Sequence, residues 1–127
     1  VLEVVLDELL ELLRLPMDDT EPVGVGILLF RFVQQRSELC RVLLGHGSSP
    51  ALVQRMIDVG TGSVLSDHVP LPESAVPPEI AAHHLVASSI ALIQWWLDHD
   101  MPYDLERMGR IYEEMILRPT RAAAFAS

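Results

Sequence analysis

Five histidines are the residues of this sequence best suited to metal binding, because imidazole is the commonest metal ligand in proteins. His83 and His84 are adjacent, and on a helix their side chains diverge by about 100°, so they cannot hold one ion together. His46, His68 and His99 lie at the ends of predicted segments, and no HExxH or Cys/His ligand spacing is present. The sequence therefore predicts no metal and no cofactor.

Nucleophilic catalysis has no better support. Ser88 and Ser89 lie inside an apolar helical pattern, where a serine usually donates to a carbonyl one turn back. Cys40 is the single cysteine, which excludes an internal disulfide, fits a reducing cytoplasm and favours a small buried side chain. The glycine pairs within 24–26 and 60–62 are too closely spaced for phosphate-binding loops. We expect a cytoplasmic protein that is not an enzyme.

The composition limits the classes of partner that this chain is expected to bind. The chain has 127 residues, half of them hydrophobic, which fits one packed domain. Nine arginines and no lysine stand against eighteen acidic residues, and the net charge of -9 disfavours contact with nucleic-acid phosphates or an unaided anionic ligand. The most apolar run, Leu85 to Leu97, is shorter than the ~20 residues of a membrane span. We expect no membrane partner.

Apolar periodicity predicts an all-α fold of about five helices. They are expected over 1–15, 23–44, from Pro50 to the proline-rich connection at 67–78, over 77–100 and over 104–117. Pro119 is expected to end the last helix, so that 1–118 form the domain and 119–127 a frayed or linker-like tail. Because the chain begins inside a helical pattern, we expect it to be part of a longer protein.

The fourth predicted helix has no polar side. One of its rows is Ile80, His84, Ala87, Ala91 and Trp95, and the other rows are also apolar or small. A helix without a polar face must be covered all round, and the other helices of so small a chain can cover only part of it. A second copy is the simplest remaining cover, so the pattern predicts a homodimer.

The segment that follows carries a resemblance. Trp95-Trp96-Leu97, then Met101-Pro102-Tyr103, and then Asp104-Leu105-Glu106 at the start of the last helix resemble the C-terminal domain of TetR-type transcriptional regulators. The resemblance implies a ligand-binding and dimerisation domain whose last two helices pair as a four-helix bundle. The helix-turn-helix domain of that family has no counterpart here, and residues 1–15 would correspond to the connector after it. DNA would be contacted only through that absent domain.

These considerations give two sets of candidate residues. A small apolar ligand is expected between the helices, against Phe30, Val33, Gln34, Met56, His83, Leu85, Ser89 and Trp96. The dimer interface is expected at His84, Ala87, Ala91, Ile93, Trp95, Leu105, Met108, Tyr112 and Met115. The pocket residues could instead fill a dry core. The alternative function is then a standalone helical homodimeric interaction module without a ligand.

Overall fold

A computed structural model describes residues 4, 24–45 and 47–126 of the chain, and it confirms the all-α fold class. Its elements are α1 (Val25–Gln35), α2 (Ser37–Leu44), α3 (Pro50–Asp67), α4 (Pro78–Asp98), α5 (Leu105–Tyr112), a π-helical turn (Glu113–Leu117) and α6 (Arg118–Ala124). The predicted first helix lies outside the described residues, apart from Val4. Within the described residues, an isolated antiparallel β-bridge joins Pro70 and Phe125.

Helix starts follow the capping chemistry of the sequence. Ser49 caps α3 by accepting a hydrogen bond from the Leu52 amide, with Pro50 at the first position. Asp104 caps α5, where its carboxylate accepts from the Arg107 amide at 2.9 Å. Both helices start within one residue of the positions predicted from the sequence, Pro50 and Asp104.

The predicted second helix is two helices. Arg36 leaves the helical conformation, with φ at -123° and ψ at 36°, and its amide donates to the Val33 carbonyl at 3.2 Å. Its guanidinium lies over the Phe32 ring, 4.4 Å from the centroid, an attractive cation–π arrangement. The break turns α2 toward α4 and closes one end of the core.

Helix α4 is the central helix, and α2, α3, α6 and the π turn all pack against it. It is long and apolar enough to cross a membrane by length and composition, with a mean hydropathy of 1.3 in its most apolar window, but 44% of that window is buried. A core helix has the same properties. Its buried side chains are Ala81, Ala82, Leu85, Val86, Ser89, Ile93, Trp96 and Leu97.

Helices α1 and α5 cross at a pair of glycines. A Cβ atom built on Gly26 would lie 2.6 Å from the Gly109 carbonyl oxygen and 2.8 Å from its Cα. A Cβ atom on Gly109 would lie 2.9 Å from the Ile27 amide nitrogen. These distances are too short for non-bonded carbon contacts, so only glycine allows the two backbones to approach this closely.

The C-terminal segment differs from the frayed tail expected after Pro119. Pro119 lies in the first turn of α6, directly after the π turn, and the helix continues to Ala124. Phe125 is only 2% exposed. The Leu71 amide donates to the Ala124 carbonyl at 2.8 Å, and the Ala126 amide to the Val69 carbonyl at 2.8 Å. The proline-rich connection therefore holds the chain end against the core, a long-range pairing that local sequence does not signal.

Candidate functional site

An aromatic cluster joins α1, α4 and α5 in the core. The Phe30 ring lies edge-on to Trp96, with centroids 5.2 Å apart, and to Tyr112 at 6.5 Å. All three side chains are buried, and such edge-to-face pairs are favourable beyond the area they bury. The sequence named Phe30 and Trp96 as neighbours across a pocket, and the structure brings them into direct contact.

A pair of hydroxyl groups lies in this apolar core. Ser89 Oγ donates to the Leu85 carbonyl at 2.5 Å and lies 3.5 Å from the Tyr112 hydroxyl, within hydrogen-bonding distance. Burial raises the pKa of the Tyr112 phenol above its ordinary value of 10.0, and Ser89 opposes this shift. The phenol is therefore protonated and can donate at neutral pH. A ligand bound in this part of the core could form hydrogen bonds with these two hydroxyl groups.

The other predicted pocket residues divide into two groups. Val33, Leu85 and Met56 are buried in the same hydrophobic core as the aromatic cluster. Gln34 and His83 are exposed and therefore stand outside it, so they are not placed to anchor a ligand among these rings. Tyr112, predicted for the interface, is instead the residue that supplies the second hydroxyl group of the core.

Three open depressions on the described surface are lined by none of the predicted pocket residues. They have volumes of about 240, 520 and 430 Å³. The first two lie along the charged side of α5, between residues such as Glu106, Arg110 and Glu114. The third lies beside the loop before α3, between Gly47, Gln94 and their neighbours. Their charged and polar linings do not suit an apolar ligand.

Four of the five side chains in the apolar row of α4 are exposed. Ile80 is 61% exposed and Trp95 43% exposed. His84 and Ala91 are exposed, and Ala87 is half-buried. Two rows of this helix face the core of the same chain, and this third row has no cover within the described residues. The sequence analysis predicted four of these five positions, all except Ile80, as part of the dimer interface.

Trp95 is held in a stack of planar groups at one end of that row. Its ring is stacked on His99, with centroids 4.2 Å apart, and lies almost parallel to Tyr103 at 6.1 Å. Arg107 lies over the Tyr103 ring, 4.3 Å from its centroid. The four-residue spacing of Trp95 and His99 could have indicated their contact. The position of Tyr103 could not be read from spacing, because it depends on the turn after α4.

That turn is fixed by left-handed backbone. Asp100 and Met101 have φ values of 58° and 52°, and the Met101 amide donates to the Trp96 carbonyl at 2.7 Å, as in a Schellman motif. The Trp96 indole then donates to the Tyr103 carbonyl at 3.0 Å. The adjacent tryptophans thus have separate roles: Trp96 ties the turn to the core, and Trp95 stands at the surface.

The remaining predicted interface residues are covered to different degrees by their own chain. Met115 is 71% exposed, and Leu105 is half-buried. Ile93, Met108 and Tyr112 are buried inside one chain, so they have no exposed surface to offer a partner. Their assignment to an interface stays a prediction, and the exposed row of α4 is the better candidate.

Together these features describe an all-α domain built around one apolar central helix. The model of a family described as the C-terminal region of TetR transcriptional regulators matches residues 25–118. The chain therefore belongs to this family, as the segment around Trp95-Trp96-Leu97 predicted. No curated protein and no solved structure matches the chain.

Proposed function

We propose that this domain is the dimerisation and effector-binding part of a TetR-type transcriptional regulator. It would pair with a second copy of itself, take a small apolar ligand in the cytoplasm and catalyse no reaction. DNA would be contacted by a separate N-terminal domain, since the net charge of -9 does not suit binding to phosphates. The observation that carries the proposal is the exposed apolar row of α4 in a chain that matches this family.

The ligand part of the proposal rests on the aromatic cluster and its hydroxyl pair. Phe30, Trp96, Ser89 and Tyr112 would line the site, with the two hydroxyls as its polar anchors. Because these side chains contact one another, a ligand must displace α1 from α4 to enter between them. A ligand that binds the open arrangement better shifts the population toward it. Helix α1 follows residues 1–23 in the chain. A displacement of α1 would therefore also move the point at which the chain enters this helix.

A titration with the neutral apolar dye N-phenyl-1-naphthylamine tests the ligand site. We expect the dye to bind and to quench tryptophan emission by energy transfer. Trp96→Phe should weaken binding of the dye more than Trp95→Phe does, because only Trp96 lies in the core cluster. Tyr112→Phe should weaken binding about fivefold, the effect of one hydrogen bond of about 1 kcal/mol. A folded protein that binds no dye up to its solubility limit would contradict the effector site.

Sedimentation equilibrium at micromolar concentration tests dimerisation. We expect a dimer, and Ala91→Glu should dissociate it because a carboxylate at an apolar interface loses its hydration. Val42→Glu is the matched control, since Val42 is 71% exposed on α2 and does not belong to the α4 row. A stable folded monomer of the unsubstituted chain would contradict this part of the proposal. A dimer without dye binding would favour the standalone interaction module.

A further inference from the structure

We propose that the two α4 helices of the dimer run antiparallel and cross between Ala87 and Ser88, so that Ile80 of each copy meets Trp95 of the partner subunit. The inference rests on the proposed dimerisation and adds its register and direction. It follows from the order of side chains along the exposed row, from the charges at one end of α4 and from the stack that holds Trp95.

The exposed row is self-complementary about that point. Ile80 and Trp95 are equally far from the midpoint between Ala87 and Ser88, and so are His84 and Ala91. When a twofold axis passes through the midpoint of antiparallel helices, each residue faces the one equally far on the other side. His84 therefore faces Ala91 of the partner subunit. Two small side chains, Ala87 and Ser88, therefore meet at the crossing, and the two largest, Ile80 and Trp95, meet at its outer ends.

The sizes of the side chains fit a close crossing. Ala87, Ser88 and Ala91 are small, which lets two helix backbones approach. Ser88 donates its hydroxyl proton to the His84 carbonyl of its own helix at 2.5 Å, so it needs no partner across the contact. Ile80 and Trp95 lie about 11 Å from the crossing, where two inclined helices have separated and larger side chains fill the gap.

Charge favours antiparallel over parallel pairing, although the Arg41 guanidinium offsets part of the charge of Asp100. Asp98 and Asp100 lie at the C-terminal end of α4, in a chain whose net charge is already -9. Parallel helices would bring these carboxylates against their own copies and would align the two helix dipoles. Antiparallel helices separate the two copies of Asp98 by about 32 Å, several Debye lengths at physiological ionic strength.

Trp95 is already positioned to act as the anchor at each end. Its stacking on His99 and its parallel contact with Tyr103 restrict the ring before any partner arrives. A side chain ordered in advance loses less entropy on binding. Tryptophan, tyrosine and arginine are also the residue types that dominate binding energy at interfaces, and Arg107 extends the same stack.

Disulfide cross-linking of full-chain variants, each with one introduced cysteine besides the buried Cys40, tests the register. A size-tagged His84→Cys chain mixed with an Ala91→Cys chain should form a cross-linked heterodimer under mild oxidation. Ala87→Cys alone should cross-link to itself, since its copies are offset by about 1.5 Å along the axes. Ala91→Cys alone should cross-link about tenfold less, because its copies stand about 10 Å apart along the axes, beyond disulfide reach.

The controls separate this inference from the proposed function. The unsubstituted chain gives the background, since Cys40 is buried, and circular dichroism checks that each variant is folded. Strong cross-linking of Ala91→Cys to itself would show parallel helices and overturn the proposal. A dimer by sedimentation in which none of these pairs cross-links would also overturn it, while leaving dimerisation intact. A monomer would refute both.

Discussion

The glycine crossing of α1 and α5 allows a sharp test of how tightly this domain is packed. Gly26→Ala places a methyl group 2.6 Å from the Gly109 carbonyl oxygen and 2.8 Å from its Cα, about 1 Å closer than ordinary contact. Both atoms are backbone, so no side-chain rotation relieves the clash and the helices must separate. Overpacking of this kind costs about 1–3 kcal/mol, and a rigid backbone contact belongs at the upper end.

The substitution also has a favourable effect on helix stability, which reduces the expected loss in the free energy of unfolding. Alanine stabilises a helix interior by up to about 1 kcal/mol relative to glycine, but Gly26 lies in the first turn of α1, where the gain is smaller, so the net loss for Gly26→Ala is about 2–3 kcal/mol. Gly109→Ala should be similar, because its Cβ would meet the Ile27 amide nitrogen. Since both changes force the same separation, the double variant should lose less than the two single losses combined.

Urea unfolding at one fixed protein concentration measures these changes. The midpoint should fall for Gly26→Ala with the slope unchanged. Gly62→Ala is the matched control, because a methyl group there meets nothing within 4 Å in the middle of α3. That variant should gain about 0.5–1 kcal/mol. If Gly26→Ala were as stable as the unsubstituted chain while Gly62→Ala gained stability, the close approach of α1 and α5 would be refuted.

Three further expectations concern other parts of the chain. Phe125→Ala should lower the free energy of unfolding by about 3–5 kcal/mol in thermal denaturation, whereas the exposed Val69→Ala should change it by less than about 0.5 kcal/mol. Burial raises the pKa of the Cys40 thiol from 9.0 to about 11, so its stabilising contribution is complete below pH 9 and is lost as pH rises through 11. Between pH 8 and pH 10.5, the free energy of unfolding measured with urea should fall by up to about 2 kcal/mol, and it should fall less in Cys40→Ala. An equal fall in both proteins would contradict this assignment to Cys40. Arg41→Ala should cost less than about 0.5 kcal/mol, because the Arg41–Asp100 ion pair at 3.3 Å is exposed, and a larger loss in urea would contradict this assignment.

The sequence was sufficient where local chemistry sets the structure. Ser49-Pro50 and Asp104 mark helix starts by capping, and both starts were predicted. The exposed row from Ile80 to Trp95 was also identified. The sequence could not show that this row, among three of similar polarity, is the one left open. That choice depends on which faces α2, α3, α6 and the π turn cover, and these are tertiary contacts.

Other features have no local signal at all. The break at Arg36 contains neither glycine nor proline, so the pattern there reads as one continuous helix. A proline such as Pro119 usually marks the end of a helix, yet here it lies in the first turn of the next one. The burial of Phe125 depends on its pairing with Pro70, more than fifty positions earlier. The hydroxyl pair arises because Tyr112 and Ser89 meet across two helices.

The π turn over Glu113–Leu117 has a consequence for how the end of this chain can change. Its i→i+5 bonding admits one residue more than an α-helix would, so everything beyond it is rotated by about 100° relative to a helical wheel drawn through α5. That rotation allows Ile116 and Leu117 both to be buried while Met115 is exposed, and it aims Thr120 and Ala124 inward. Which side chains of this segment are buried therefore depends on the number of its residues as much as on their identity. Exposed side chains there are replaceable, but loss of one residue would turn the whole carboxyl-terminal helix out of phase with the core.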